Sequence, residues 1–530
     1  MRVLLHRPAN PYHATPFSEK APPLGAMSLA GYVRHLGDCE VRLLDGAEGD
    51  GPRALARTCR DWRPDVVGIS AMTATAYDGL VCASVVREHA PDAWVIGGGI
   101  HYTAEPEETL RLCADMDAVG LGEGEQTLLE AAQALEDCGG RRGDWRAALR
   151  AVPGLCWLEG EGPTLVDGVH PAPERPVHFT PPRPLIKDLE RLPMPAYDLH
   201  RPERYRMWPW RWRDMSLIEG SRGCPYRCTY CHNSQFWEYK WRPRPVEAVL
   251  DEIEVLTTKL GHTNLFFVDD SWATSRKRNI EFCEGMLRRG LKAHLWAQCR
   301  VDDLYRDRDL FPLMARAGFY GLLIGFESPD ADALARWDKR VGPDKAYALA
   351  PDLTRHFRCI MGTFLVGDLE TRPESFDAVS TYADTLGVDI MLMIPFNPVP
   401  VTVPIWQEYA DVDELEIVWD YDLAGSYRGG INTRHLSRRQ VLKHNQEHML
   451  RFYLDPKHAG HALRSGRHTR RHYFHMLFSA GVDAGASAVR QRTRPRDPRP
   501  LARLREDYRQ RHLALAAHRF AQERASRGVA

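Results

Sequence analysis

The sequence predicts an α/β protein in three parts: a doubly wound parallel sheet, a partial barrel of six strand–helix units, and a mainly helical C-terminal region. Three observations carry this reading. Short β-branched runs alternate with helix-like segments over the first 150 residues. A second series of the same kind starts at Ser216. Beyond about residue 400 the pattern turns helical.

In the first part, Met1 to Leu5 reads as a strand and Leu24 to Leu36 has apolar residues at helical spacing. Val41 to Leu44, Asp65 to Ser70, Ala93 to Ile96 and Asp117 to Val119 read as further strands. Ligands of such sheets sit at the carboxyl ends of the strands. Those ends read SAMTAT, GGGIHYT and GLGEGEQT, where glycine lets a large ligand approach the backbone closely.

Residues 151–212 hold many prolines and read as a connector with some short strands. Its aromatic end, Met207 to Met215, packs against a neighbouring domain or lines a cavity. The second series then has strands at Ser216 to Glu219, Asn264 to Val268, Ala293 to Ala297, Gly321 to Gly325, Gly362 to Val366 and Ile390 to Ile394. Chemistry in such a barrel sits at the C-terminal ends of its strands. The expected units are 1–150, 151–212, 213–400 and 401–530.

Composition excludes several functions. Seventy basic and 71 acidic side chains give a net charge of -1, which makes no case for nucleic acid or an anionic membrane. No apolar run approaches the roughly 18 residues of a membrane span, and the N-terminus has no signal-peptide core. Twelve cysteines are sparse for a disulfide-built protein. A cytoplasmic monomer acting on a small molecule is the expectation. The Arg-rich last forty residues read as a solvated helical extension in preference to a nucleic-acid arm.

The stretch SRGCPYRCTYCHNSQFW holds Cys224, Cys228 and Cys231 within eight residues. CTYCH matches the haem attachment pattern, but that chemistry needs export. Three cysteines with His232 make a zinc set, but structural zinc sites usually split their ligands between two knuckles. An iron–sulfur cubane is the third reading. Three thiolates leave its fourth iron open, as a catalytic metal requires.

CPYRCTYC, with Tyr230 before the third cysteine and a strand before the motif, resembles the cluster motif of the radical S-adenosylmethionine (SAM) enzymes. The resemblance implies a [4Fe-4S] cluster on Cys224, Cys228 and Cys231, with SAM on the open iron. LFFVDDSW resembles the second barrel strand of that family, with Asp269 and Asp270 implied at the SAM amino end. WAQCRVD resembles the third, with Arg300 implied at the carboxylate. GLLIGFES resembles the fourth, with Glu327 a further polar contact. The competing readings are a helix N-cap for Asp269 and a barrel-mouth salt bridge for Glu327.

PPLGAMSLAGYVR, VVGISAMT, IGGGIHYTAEPEE and GLGEGEQT together resemble the Rossmann-like cobalamin-binding domain of one radical SAM subclass. The implied corrin contacts are Ser70, Thr73, Gly97, Gly98, Gly99, His101, Gly122, Glu123, Gly124 and Glu125. The D-x-H-x-x-G loop that often donates a histidine to cobalt is absent, since GAEG follows Asp45. His101 is the nearest substitute, or it packs structurally.

The resemblance implies a class B radical SAM methyltransferase in the branch of the anaerobic porphyrin cyclase. One SAM gives its methyl group to cobalamin, forming methylcobalamin. A second yields a 5'-deoxyadenosyl radical that takes hydrogen from an unactivated carbon, or less expectedly phosphorus, of an antibiotic or other secondary-metabolite precursor. A flavodoxin or ferredoxin supplies the electron. An oxidative cyclase or ring-rearranging enzyme without methyl transfer is the alternative. The substrate would lie between barrel mouth and corrin, under the C-terminal region. MIPFNPVPVTVP replaces the branch's usual P-F-P-G-T run, so substrate identity does not carry over. His444 and His448 share a metal or form a polar helix face. His435, His458, His461, His468, His472 and His475 cluster nearby in sequence; His472 and His475 read in the same two ways, or with Tyr473 touch the substrate instead.

Overall fold

The computed structural model describes residues 1–9, 21–172, 174–199, 215–398, 403–410, 412, 415–424, 429–456 and 500–527, apart from the Arg142 side chain. The aromatic run from 207 to 214 and the histidines from His458 to His475, with Tyr473, lie outside these residues.

Strands β1 (Arg2–Arg7), β2 (Glu40–Asp45), β3 (Val66–Ser70), β4 (Trp94–Gly98) and β5 (Ala118–Gly120) form a parallel sheet in the order β2-β1-β3-β4-β5. Order reverses beside β1, and a ligand crevice opens at such a switch point. Helices Leu24–Leu36 and Gly124–Asp137 cover one face around Val3, Leu5 and Trp94. Helices Pro52–Trp62 and Ala76–His89 cover the other around Leu4, Val67 and Ile69. The strands are apolar because both faces are buried.

The sheet does not stop at residue 150. β6 (Leu155–Leu158) adds antiparallel to β5. A small hairpin of β7 (Leu165–Val166) and β8 (His170–Pro171) follows, and β9 (Val177–Phe179) pairs with β6. Sequence reading assigned these strands to a connector, because four apolar residues among prolines carry no sign of their partner. Tyr197 then ties the remaining connector to the barrel, donating to the Leu217 carbonyl (2.9 Å) and to Glu252 (2.5 Å).

The barrel strands are β10 (Met215–Ile218), β13 (Asn264–Phe267), β14 (His294–Arg300), β15 (Phe319–Glu327), β16 (Cys359–Val366) and β17 (Ile390–Pro395). All six run parallel and in sequence order, with β10 and β17 as open edges. Between β10 and β13 lies a two-residue ladder, β11 (Ser221–Arg222) against β12 (Arg242–Pro243), at the entrance to the cysteine loop. The core runs through Leu265, Phe267, Leu295, Leu322, Ile324 and Phe364.

The C-terminal helix Pro500–Ser526 corrects the expectation of a solvated extension. Its Tyr508 and Leu515 join the N-terminal core. Arg505 forks onto both Asp78 and Asp422. His512 lies between the Tyr77 hydroxyl (2.7 Å) and Glu108 (3.2 Å). Phe520 packs on Trp406 and Trp419 beyond the barrel. One helix thus straps both halves. The Arg-rich composition hid this, because Arg505 and Arg509 are ion-paired inward, onto Asp78, Asp420 and Asp422. His444 and His448 lie on helix Arg438–Leu454. Both ring nitrogens of His448 are engaged, with the His444 carbonyl (2.7 Å) and Asp377 (2.9 Å), while His444 stacks on Phe376. They form a helix contact and not a metal site.

Candidate functional site

The cysteine loop leaves β11 at Gly223, whose φ of +85° and tight approach to Lys240 leave no room for a side chain. Cys224 and Cys228 are buried and Cys231 is half-buried; all three are free thiols. Burial pushes Cys224 up to about 11 and also raises Cys231. Donors stand at the sulfurs: Arg300 Nη1 lies 3.3 Å from Cys228 Sγ and the Ser234 hydroxyl 3.7 Å from Cys231 Sγ. Such donors favour thiolates, the form that binds iron. Three free cysteines within eight residues, two of them with donors at their sulfurs, make a donor set that fits an iron–sulfur cluster.

The residues implied around SAM gather at the loop, where each also engages groups of the chain itself. Asp269 is buried and accepts from the Gly220 amide (2.8 Å) and the Ser221 hydroxyl (2.5 Å). Its carboxylate therefore holds the loop's entry, where the sequence reading had it facing a ligand. Asp270 accepts from Asn233 (2.9 Å), and burial, with help from the Asp269 charge, pushes its carboxyl up to about 6. Arg300 also forks onto Asp302, donates to the Lys339 carbonyl (2.9 Å) and lies 3.7 Å over the Tyr226 ring. Tyr230 packs edge-on against Trp337. Glu327 ends β15 at φ +63° and pairs with Lys339 (2.8 Å), the barrel-mouth salt bridge weighed from the sequence.

A cavity of about 390 Å³ lies between the N-terminal sheet and this loop. Ser70, Gly97, Gly98, Gly99, Gly122, Glu123, Gly124 and Glu125 line it from one side. Glu219, Arg222, Asn233, Phe236, Trp237 and Asp270 line it from the other. A Cβ added at Gly25, Gly98 or Gly122 would meet no protein atom within 4 Å, so the space these glycines leave belongs to the cavity. A glycine-lined cleft at a switch point fits the corrin of cobalamin. Gly97 instead makes room for Met116, and Gly99 needs its φ of +89°.

Thr73 and His101 are not among the lining residues. His101 is buried with its ring edge on Tyr421 (4.3 Å between centroids), and burial lowers it to about 3. That placement favours the packing reading. Glu123 and Glu125 line the cavity, but arginines occupy their carboxylates. Burial acts to raise Glu125, and Arg222 outweighs it and holds the carboxyl below the ordinary range. Sequence reasoning missed Glu219, Arg222, Asn233, Phe236 and Trp237. Their one signal was adjacency to the cysteines.

Comparison with known proteins agrees. Residues 14–132 match the B12 binding domain, and residues 218–377 match the Radical SAM superfamily. An uncharacterized methyltransferase of Pyrococcus horikoshii is 28% identical over 437 residues, covering 82% of this chain and 88% of that one. The anaerobic magnesium-protoporphyrin IX monomethyl ester cyclase of Rubrivivax gelatinosus is 31% identical over 331 residues, 62% of this chain and 56% of that one. The fold is shared with the radical SAM methyltransferase TsrM of Kitasatospora setae, solved with cobalamin and a [4Fe-4S] cluster (TM-score 0.64, 16% identity, covering 86% of this chain and 89% of that one). A three-cysteine loop on a six-stranded barrel faces a glycine-lined crevice, and the chain joins a domain of the B12-binding family to a domain of the Radical SAM superfamily.

Proposed function

We propose that this enzyme methylates an unactivated carbon of a small secondary-metabolite or antibiotic precursor. The observation that carries the reading is the shared cavity, lined both by the glycine-rich strand ends and by Asn233, Phe236 and Trp237 of the cysteine loop. Cofactors held on its two sides would meet in one space. Methyl-transferring relatives support the same reading.

Cys224, Cys228 and Cys231 would hold the cluster, and the glycines of the strand ends would hold cobalamin. When bound, these groups and SAM supply a carbon-centred radical and a methyl group. The chain's own part is placement and exclusion of water. Arg300 and Ser234 donate to the cysteine sulfurs and favour their thiolate form. Asp269 fixes the loop's entry through the Gly220 amide and the Ser221 hydroxyl. Phe236 and Trp237 give the cavity an apolar wall. Asp270 holds a proton at its carboxyl more readily than an exposed acid, because burial raises it. The reading includes a flavodoxin- or ferredoxin-class electron donor and a cytoplasmic monomer.

A second reading is a ring-forming oxidation without methyl transfer, favoured by the identity to the anaerobic cyclase. Anaerobic protein incubated with methyl-labelled SAM and a reductant separates the two. Label on the cobalamin supports the methyltransferase. Bound cobalamin that stays unlabelled moves the assignment to the cyclase-like reaction.

A further inference from the structure

Arg222 sits two residues before Cys224 and links the two halves of the cavity wall. Its side chain is 6% exposed. Nη1 donates to Glu123 (2.6 Å), Nη2 to Glu125 (2.7 Å) and Nε to both Glu219 oxygens (3.0 Å each). Glu123 and Glu125 bracket Gly124, at the start of helix Gly124–Asp137. Gly122 and Gly124 line the cavity from the N-terminal side. Arg242 stands opposite Arg222 on the two-residue ladder and also donates to Glu123 (2.9 Å) and to the Ile186 carbonyl (2.6 Å).

Two arginines opposite one another on a ladder repel. Buried charges persist only when paired and hydrogen-bonded. Three carboxylates serve the two guanidiniums here, and two of the three belong to the other domain. The rigid planar guanidinium holds its carboxylates in fixed directions, which the rotatable ammonium of a lysine does not. A fold that needed only adhesion would find it more cheaply in apolar contact, because buried ion pairs contribute little net stability. Their directional geometry fixes a distance.

We infer that Arg222 is a positioning residue that sets the separation between the cysteine loop and the glycine cradle, and hence between the two cofactors. This rests on both cofactors being bound and not on the identity of the substrate or on methyl transfer.

The test uses the full chain, reconstituted anaerobically with iron, sulfide and cobalamin, as wild type, Arg222→Lys, Glu125→Gln and the double variant. Iron and cobalt contents are measured first. The cob(II)alamin signal is then followed by electron paramagnetic resonance power saturation, with the cluster oxidised and reduced. A reduced cluster nearby speeds relaxation of the cobalt spin with a steep distance dependence. Arg222→Lys is expected to keep both metals while its relaxation enhancement changes severalfold. Glu125→Gln is expected to change it in the same direction, and the double variant no further than Arg222→Lys, as for one shared contact. Wild-type enhancement in the single variants would overturn the inference. So would loss of both metals from both variants, which would make the bridge a folding strut. Absence of methyl transfer leaves these readouts intact, so the functional reading fails separately. A wild type without cobalt would end both.

Discussion

Glu327 and Lys339 form a nearly buried ion pair, with Nζ 2.8 Å from Oε1 and side-chain exposures of 9% and 5%. Glu327 holds its carboxylate there from a left-handed backbone, φ +63°, at the end of β15. Such a conformation costs about 1–3 kcal/mol in a non-glycine residue and clusters at functional sites. Lys339→Met strands the carboxylate and is expected to cost about 3–5 kcal/mol. Lys339→Met with Glu327→Gln is expected to recover most of that loss. Urea unfolding of the two variants checks this; equal midpoints would mean that the charge is not what matters.

Arg300→Gln removes the donor at Cys228 Sγ but keeps all three cysteines. Iron content is expected to hold, while SAM cleavage falls about 10–100-fold, the usual effect of losing a partner behind a metal ligand. The cluster potential should also move to a more negative value, because the hydrogen bond favours the electron-rich form. An unchanged potential would leave Arg300 serving only Asp302 and the Lys339 carbonyl.

Gly98 lies in β4 with open space where a Cβ would stand. Gly98→Val should therefore leave the stability of the cofactor-free chain within about 0.5 kcal/mol. The added side chain would enter the cavity, and cobalamin affinity is expected to fall at least about tenfold, or about 1.4 kcal/mol. Equilibrium dialysis measures it. Wild-type affinity would remove Gly98 from the cradle.

Asp270 gives a pH signature. Its carboxyl lies at about 6, raised first by burial. The folded chain thus holds this proton more tightly than the unfolded chain. Near pH 4 the group costs little, the cost grows as pH rises to about 6, and it is constant above. Asp270→Asn should then stabilise the cofactor-free protein by up to about 3 kcal/mol at pH 8, at 1.36 kcal/mol per pH unit, and by almost nothing near pH 4. Thermal unfolding across that range is the check; a gain independent of pH would refute it.

The sequence by itself determined the cluster loop, the glycine-rich strand ends and the order of the two sheets. Each is local: Cys224, Cys228 and Cys231 lie within eight residues, and strand periodicity is read over five or six. Tertiary structure alone decided what the intervening polar groups do. Asp269 reads like a ligand contact until Gly220 and Ser221, about fifty positions away, take its oxygens. His101 reads either as a cobalt candidate or as a packing residue, and only the fold sets its ring edge on Tyr421. The strands β6 and β9 read as connector, and the helix Pro500–Ser526 as solvated, because neither sequence names the surface that buries it. Arg222 lies beside the motif, yet its partners Glu123 and Glu125 are almost a hundred positions away. Spacing along a chain specifies groups that act together within a loop or a turn. Pairing of buried charges across domains depends on which surfaces meet, and that is set only when both cores have formed.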